Sequence, residues 1–220
     1  MRFVAYNIHR ARGTDGRTSI GRIADVLRGI TPDVAGLSEV VRMPAINDQP
    51  RRLGRELGMA PLFGPNLRRG QSAFGNLVLA RGRIVAHRNL KLPGTGEPRG
   101  LLVAEIDAGG VRIIFAVTHL GLDRTTRALQ VRAISEALPA DLPLVLVGDF
   151  NASGEEFEPL TSRNVGPLTL LDAPPTFPIP EPVAHIDHVL VSEHWRLKQS
   201  FSVANIASDH AALVADLELA

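Results

Sequence analysis

Apolar residues recur along this chain in two rhythms. Short β-rich runs cover 3–8, 33–39, 76–80, 84–92, 101–106, 111–119 and 144–148, and further strands are predicted at 189–191, 197–203 and 211–217. The Leu144-Val145-Leu146-Val147 stretch is wholly apolar, as expected of a strand covered on both faces. Between them, Ile20, Ile23, Ala24, Leu27 and Ile30 keep helical spacing, with Ser19 in the capping position and Pro32 as a stop. A second helix runs from Arg124 to Leu138, with Ala128, Val131, Ile134 and Leu138 on its inner face, and a short one covers Arg51 to Leu57. The Pro-rich stretch 174–182 reads as a loop. No linker, low-complexity run or solenoid period interrupts the pattern, so residues 1–220 are expected to form a single domain.

The two halves of the chain rhyme. Strand, polar tip (Asn7), helix, strand, polar tip (Glu39) occurs first; strand, polar tip (His119), helix, strand, polar tip (Asp149, Asn151) follows. Each is a β-α-β unit, whose two strands run parallel, so the polar tips belong at the sheet edge where open α/β sheets bind ligands. Two packed mixed β-sheets flanked by helices would hold all these strands, giving a four-layer α/β sandwich.

Composition narrows the chemistry. Apolar residues make up 45% and charged residues 21% of 220, which suits a globular protein and excludes disorder and fibres. Cysteine is absent, so disulfides, zinc fingers, iron–sulfur clusters and thiol catalysis are excluded and any metal falls to oxygen and imidazole ligands. No apolar run is long enough to span a membrane, and the chain enters a strand at Arg2-Phe3-Val4 without an apolar leader, so a cytoplasmic location is expected. The net charge of +1 conceals an asymmetry: 11 basic against 3 acidic residues between Arg42 and Arg99, and 13 against 20 elsewhere. A basic belt beside an acidic body suits a polyanionic substrate approaching a carboxylate-rich centre, although a solvated surface has the same composition.

Candidate chemistry concentrates in a few short motifs. In Gly148-Asp149-Phe150-Asn151, a glycine that permits an unusual backbone precedes two oxygen-bearing side chains two positions apart. An Asp that binds or activates water beside an Asn amide that donates to a phosphoryl oxygen makes a hydrolase pair; an Asx turn is the plain alternative. Ser208-Asp209-His210 joins an acid to a histidine, and Asp187, in Ile186-Asp187-His188, is placed to fix the His210 tautomer and raise its basicity. His119 ends an apolar strand, where a lone histidine is also an ordinary structural group. Glu39 and Asn7 together look like hard oxygen ligands for Mg²⁺ or Mn²⁺, for which a sparse set completed by water suffices. His9 and Asp15 lie in a Gly/Arg-rich loop that reads equally well as a turn.

The ordered set Tyr6-Asn7-Ile8-His9, Leu37-Ser38-Glu39-Val40, Thr118-His119-Leu120, Gly148-Asp149-Phe150-Asn151, His185-Ile186-Asp187-His188 and Ser208-Asp209-His210 resembles the endonuclease/exonuclease/phosphatase superfamily. Supporting matches are Gly75-Asn76-Leu77-Val78-Leu79, Glu97-Pro98-Arg99-Gly100, Arg127 with Gln130, and Thr176-Phe177-Pro178. The resemblance implies a four-layer sandwich and metal-assisted hydrolysis of a phosphoester. Glu39 would be the principal metal ligand, Asn7 would assist, and Asp209 would complete the site directly or through water. Asp149 would orient or deprotonate the attacking water, with Asn151 holding a phosphoryl oxygen. His210, paired with Asp187, would stabilise the pentacovalent phosphorus or shuttle the proton, and His119 would contact the phosphate from the opposite side. Asn76 and Arg99 are the further phosphate contacts it implies.

The expected activity is a divalent-metal-dependent phosphodiesterase of nuclease type. Arg51-Arg52, Arg55 and Arg68-Arg69 favour a nucleic-acid partner, while an aromatic content of 5% leaves few stacking platforms. A phospholipid or small-molecule phosphoesterase on the same scaffold, and more distantly a non-catalytic phosphate- or protein-binding module, are the alternatives. A monomer without membrane insertion is expected.

Overall fold

In the computed structural model, which describes residues 1–220, thirteen strands, β1–β13 in chain order, form two mixed sheets. The first runs in the order β12 (Trp195–Val203), β13 (Ala212–Leu219), β1 (Arg2–Asn7), β2 (Val34–Met43), β5 (Ser72–Ala80), β4 (Ala60–Arg69), with β3 (Asn47–Asp48) on β2. The second runs β10 (Thr169–Leu170), β11 (Asp187–Val191), β9 (Leu144–Asp149), β8 (Arg112–His119), β7 (Gly100–Asp107), β6 (Arg83–Lys91). Each sheet is centred on one parallel pair joined by a helix: β1 and β2 through α1 (Ile20–Ile30), β8 and β9 through α3 (Arg124–Ala137). All other pairings between these strands are antiparallel.

The repeat in the sequence is therefore a repeat in the fold, with one consequence for the site. In the second sheet, β7, which precedes β8, pairs with its free side; in the first, β13, late in the sequence, takes the corresponding place beside β1. Because β13 is antiparallel to β1, its first residues lie beside the C-terminal end of β1, which brings Ser208-Asp209-His210 to Asn7.

Three apolar clusters make the four layers. Phe3, Val34, Val78, Phe115, Val147 and Leu213 belong to the cluster between the sheets, where the Phe3 and Phe115 rings stack at 5.8 Å. α1 and α2 (Gln49–Leu57) cover the outer face of the first sheet through Ile23, Leu27 and Leu53 against Leu37 and Leu77. α3 covers the second through Val131 and Ile134 against Leu101 and Leu146. At Gly36 the two sheets approach so closely that a Cβ would lie 2.5 Å from Val147 Cγ2 and 3.0 Å from Val117.

The main departure from the sequence pattern is β4. Pro61, Gly64 and Pro65 hide it, yet as an edge strand it needs hydrogen bonds on one side only and tolerates proline there. Its partner β5 accordingly begins at Ser72 rather than Asn76. Ser19 occupies the cap position of α1, but its hydroxyl makes no capping bond.

The contact at Gly36 gives a stability test. Gly36→Val must push a branched side chain into Val147 and is expected to cost at least about 2 kcal/mol, read as a lower urea midpoint. Gly29→Ala, in α1 with open space around the added methyl, is expected to stabilise by about 0.5–1 kcal/mol.

Candidate active site

Strand register assembles the site. Gly148, at φ +153, faces Thr118 so closely that a Cβ would meet the Thr118 carbonyl oxygen at 2.0 Å, so only glycine lets β9 lie against β8 here. The next register position pairs His119 with Asp149, and across the other side of β9 Asp187 also pairs with Asp149. His119, Asp149 and Asp187 thus form a lateral row on one edge of the second sheet. The first sheet brings Asn7, at the end of β1, and Glu39, which sits at a bulge in β2 with φ +57. That left-handed backbone is costly for a non-glycine residue, and it re-aims the carboxylate out of the regular alternation of the strand.

A hydrogen bond joins β1 of the first sheet to β9 of the second at this edge: Asn7 Nδ2 donates to Asp149 Oδ2 at 2.9 Å. The same nitrogen lies 3.4 Å from Glu39 Oε1, while Asn7 Oδ1 accepts from the His9 backbone N–H at 3.0 Å. Two carboxylates on one side and an N–H on the other fix the amide orientation. Asn7, expected to assist as a ligand, therefore presents a donor to the carboxylates rather than an oxygen to an ion.

Asp149 Oδ2 is also 3.5 Å from His119 Nε2 and 3.8 Å from His210 Nε2. The two imidazoles are opposites. His210 Nδ1 lies 2.7 Å from Asp187 Oδ2, and Thr176 Oγ1 donates to that same oxygen at 2.5 Å. Burial would lower the His210 pKa, but the charge and hydrogen bond of Asp187, with Asp149 and Asp209, outweigh it and raise it to about 9. His119 Nδ1 instead meets Arg99 Nη1 at 2.9 Å, and a guanidinium only donates, so Nδ1 accepts and the proton resides on Nε2. Burial lowers the His119 pKa to about 4, opposed by Asp149 and reinforced by Arg99 and His210. The centre holds one neutral and one cationic imidazole, each with Nε2 toward Asp149.

The remaining expected residues divide. Arg99 is buried, held by Glu97 at 2.9 Å, and touches the centre through His119. Asn151 donates its N–H to Asp149 Oδ1 and its amide to the Leu120 carbonyl, both at 3.0 Å, which leaves one amide hydrogen. Asp209 faces His9 at 3.4 Å. Asn76, expected at the phosphate, is instead buried with its amide nitrogen donating to Gly100 O at 2.9 Å and Val117 O at 3.3 Å, a cross-link between sheets with no donor to offer substrate.

Several contributors have roles not assigned from the sequence. Thr176 orients Asp187, and Ser208 Oγ donates to the Asn7 carbonyl at 2.7 Å, pinning the last turn to β1. Phe177 lies against His210 with ring centroids 4.8 Å apart. Arg10 approaches Glu39 at 3.7 Å. Motif position marks Thr176 and Ser208 in advance, whereas nothing local distinguishes Arg10 from the other arginines of its loop.

The donor set fits a hard divalent ion. Asp149, Asp187 and His210 offer ligand atoms within 4.8 Å of one another, but they are buried, and His210 and Asp187 are already hydrogen-bonded to each other. Glu39 is different: its nearest partners, Asn7 and Arg10, stand at 3.4 and 3.7 Å, leaving a partly exposed carboxylate without a short hydrogen bond. One such carboxylate completed by water is an adequate Mg²⁺ site.

The fold is a four-layer α/β sandwich whose polar centre lies at one edge shared by the two sheets. The chain belongs to the Endonuclease/Exonuclease/phosphatase family, which it matches over residues 4–210. Members of that family are hydrolases of phosphoester bonds that generally use a divalent metal. Among solved structures it is similar to an endonuclease/exonuclease/phosphatase from Beutenbergia cavernae (27% identity, all of this chain and 71% of that one, TM-score 0.84). It also resembles the human Nocturnin catalytic domain with bound sulfate (21%, 100% and 94%, TM-score 0.78). A third likeness is to the Bacteroides thetaiotaomicron mannosyl-6-phosphatase Bt3783 (19%, 100% of each, TM-score 0.77). No curated protein matches the sequence. No helix is long and apolar enough to cross a membrane.

The neutral state of His119 is testable. Its folded pKa of about 4 lies below the ordinary value of 6.5, so the unfolded chain takes up the proton first as pH falls. In metal-free protein, stability is expected to drop between pH 6.5 and 4, and His119→Gln to flatten that drop, read as urea midpoints against pH.

Proposed function

We propose that this protein is a Mg²⁺- or Mn²⁺-dependent phosphodiesterase of nuclease type. The observation that carries the reading is the meeting of Asn7, His119 and His210 on one oxygen, Asp149 Oδ2, at 2.9, 3.5 and 3.8 Å. An acceptor between two imidazole N–H groups is the arrangement needed to take a proton from water while charge on a phosphoryl oxygen is absorbed alongside.

Glu39 would hold the ion, with Asp209 the second candidate oxygen donor. When bound, the ion supplies positive charge to the phosphoryl oxygens. Asp149 accepts the proton of the attacking water, oriented by the Asn7 amide and the Asn151 N–H. His119 donates Nε2–H to a non-bridging oxygen without adding charge. His210, cationic through its bond to Asp187, stabilises the pentacovalent phosphorus and delivers its Nε2 proton to the departing oxygen as the new O–P bond forms and the old one breaks. This assigns Asp149 as base and His210 as acid, because the Asp187 carboxylate at Nδ1 favours the doubly protonated imidazole.

A nucleic-acid substrate is favoured by Arg51, Arg55, Arg68 and Arg69, all exposed. A small-molecule phosphoesterase is the second reading, favoured by an open cleft of about 290 Å³ next to the centre, sized for one small unit.

Asp149→Asn is expected to lower kcat on a DNA or dinucleotide substrate by roughly 10²–10⁴-fold, and His210→Ala by a comparable factor. Glu39→Gln is expected to raise the Mg²⁺ concentration needed for half-maximal rate. Turnover within a few-fold of wild type in both of the first two variants, folded by circular dichroism, would overturn the mechanism.

A further inference from the structure

The cleft beside the centre is lined by residues that the chemistry does not use: Val41, Leu67, Arg69 and Phe74, with Arg10 and Glu97 at its sides. Its floor follows from strand register. Val41 and Leu67 are both cross-strand partners of Phe74, so β2, β5 and β4 present an apolar row, Val41–Phe74–Leu67, on one face of the sheet. Bulges immediately before the row, between Leu37 and Val40 and between Pro65 and Leu67, bend both flanking strands there.

Two contact chains tie this cleft to Asp149. On one side Arg10 meets Glu39 at 3.7 Å, and Glu39 meets the Asn7 amide that holds Asp149. On the other, Glu97 holds Arg99, which holds His119. The cleft therefore borders Arg10, the partner of Glu39, on one side and Glu97, the partner of Arg99, on the other, beside the reacting centre.

The lining selects a chemistry. Arg10 lies over the Phe74 ring at 5.0 Å, an aromatic–guanidinium pair of the kind on which a nucleobase stacks. Arg69, exposed at the end of β4, supplies a second positive charge. A bare sugar phosphate has no use for an apolar floor, and a lipid chain has none for two arginines at its rim. A planar ring next to an anion satisfies both. The volume, about 290 Å³, is at the low end for small-ligand pockets and suits one nucleotide unit.

We infer that this cleft is a nucleotide subsite, in which the base packs on the Arg10–Phe74 pair above Val41 and Leu67 while Arg69 holds the flanking phosphate. The inference rests on the phosphodiesterase reading only for where the scissile phosphate lies.

Calorimetric titration of the Mg²⁺-loaded protein with AMP and with ribose 5-phosphate isolates the base. Wild type is expected to bind AMP at least about tenfold more tightly. Phe74→Leu is expected to bring the two ligands within threefold, with ribose 5-phosphate unchanged. Arg69→Gln, on an exposed strand end, is expected to keep the preference for AMP but to lose the added affinity for adenosine 3′,5′-bisphosphate. Equal affinity for AMP and ribose 5-phosphate in wild type overturns the subsite, and so does a Phe74→Leu variant that keeps the full preference. Should Phe74→Leu not fold, an unchanged bisphosphate advantage in Arg69→Gln overturns it. AMP preference without hydrolysis of any phosphodiester overturns the enzymatic reading and leaves the subsite standing; hydrolysis without AMP preference does the reverse.

Discussion

The hydrogen bond from Asn7 to Asp149 is the point on which the rest of the site depends. It runs from the first sheet to the second, so its 2.9 Å length is a statement about how the two sheets sit on each other. Each sheet edge alone offers polar side chains at strand ends; only their meeting gives a centre. Glycines make the meeting possible twice over. Gly36 leaves room for Val117 and Val147 where the parallel pairs of the two sheets pack, and Gly148 lets β9 lie against β8 so that Asp149 arrives opposite His119. Asn76 adds a third tie by bonding from β5 to carbonyls of β7 and β8. Its burial removes it from the substrate surface and makes it part of the frame.

Two histidines of identical intrinsic chemistry reach opposite protonation states because of the partner each has at Nδ1. A carboxylate behind His210 fixes a proton on Nδ1 and favours a second one on Nε2; a guanidinium behind His119 excludes the proton from Nδ1 and disfavours the cation. Both rings end with Nε2–H toward the same carboxylate. The result is a pair of donors of unequal charge, one suited to stabilising developing charge and giving up a proton, the other to orienting an oxygen without competing for it. The orienting groups are themselves held from behind, Asp187 by Thr176 and Arg99 by Glu97.

Much of this is legible in the chain, and the boundary of legibility is physical. The β-α-β repeat announces itself because apolar periodicity reports burial, and polar residues ending apolar runs report a sheet edge. That places Asn7, Glu39, His119 and Asp149 together before any coordinates are known. β4 escapes because proline and glycine suppress the signal that periodicity relies on, and an edge strand can accept them. The direction of the Asn7 amide and the burial of Asn76 escape for a different reason. Both are decided by contacts between residues far apart in sequence, such as the 142-residue separation of Asn7 and Asp149. Residue type names the chemistry a side chain has available; which of its atoms is left free is settled only by packing. Arg10 and Phe74 belong to the same class, since an arginine in a turn and an aromatic in a strand are ordinary until register sets one over the other.

The left-handed residues at the site extend this argument. His9, Arg10, Ala11, Glu39 and Asn151 all have φ between 44 and 62, a backbone that Asn and His adopt more readily than Arg, Ala or Glu. A run of three such residues after Ile8 reverses the chain so that Arg10 turns back toward Glu39, and the bulge at Glu39 turns the carboxylate to meet it. Without those conformations β1 and β2 would end as ordinary strands, with side chains alternating between the two cores. The strain thus sits in the segments that gather polar side chains at the sheet edge. The apolar layers on either side of each sheet hold it in place, since Ile8 and Ala11 are buried beside the strained turn and Val40 directly after the bulge. In this fold the cores do more than stabilise: they hold the backbone at the edge where the polar atoms have no local reason to be.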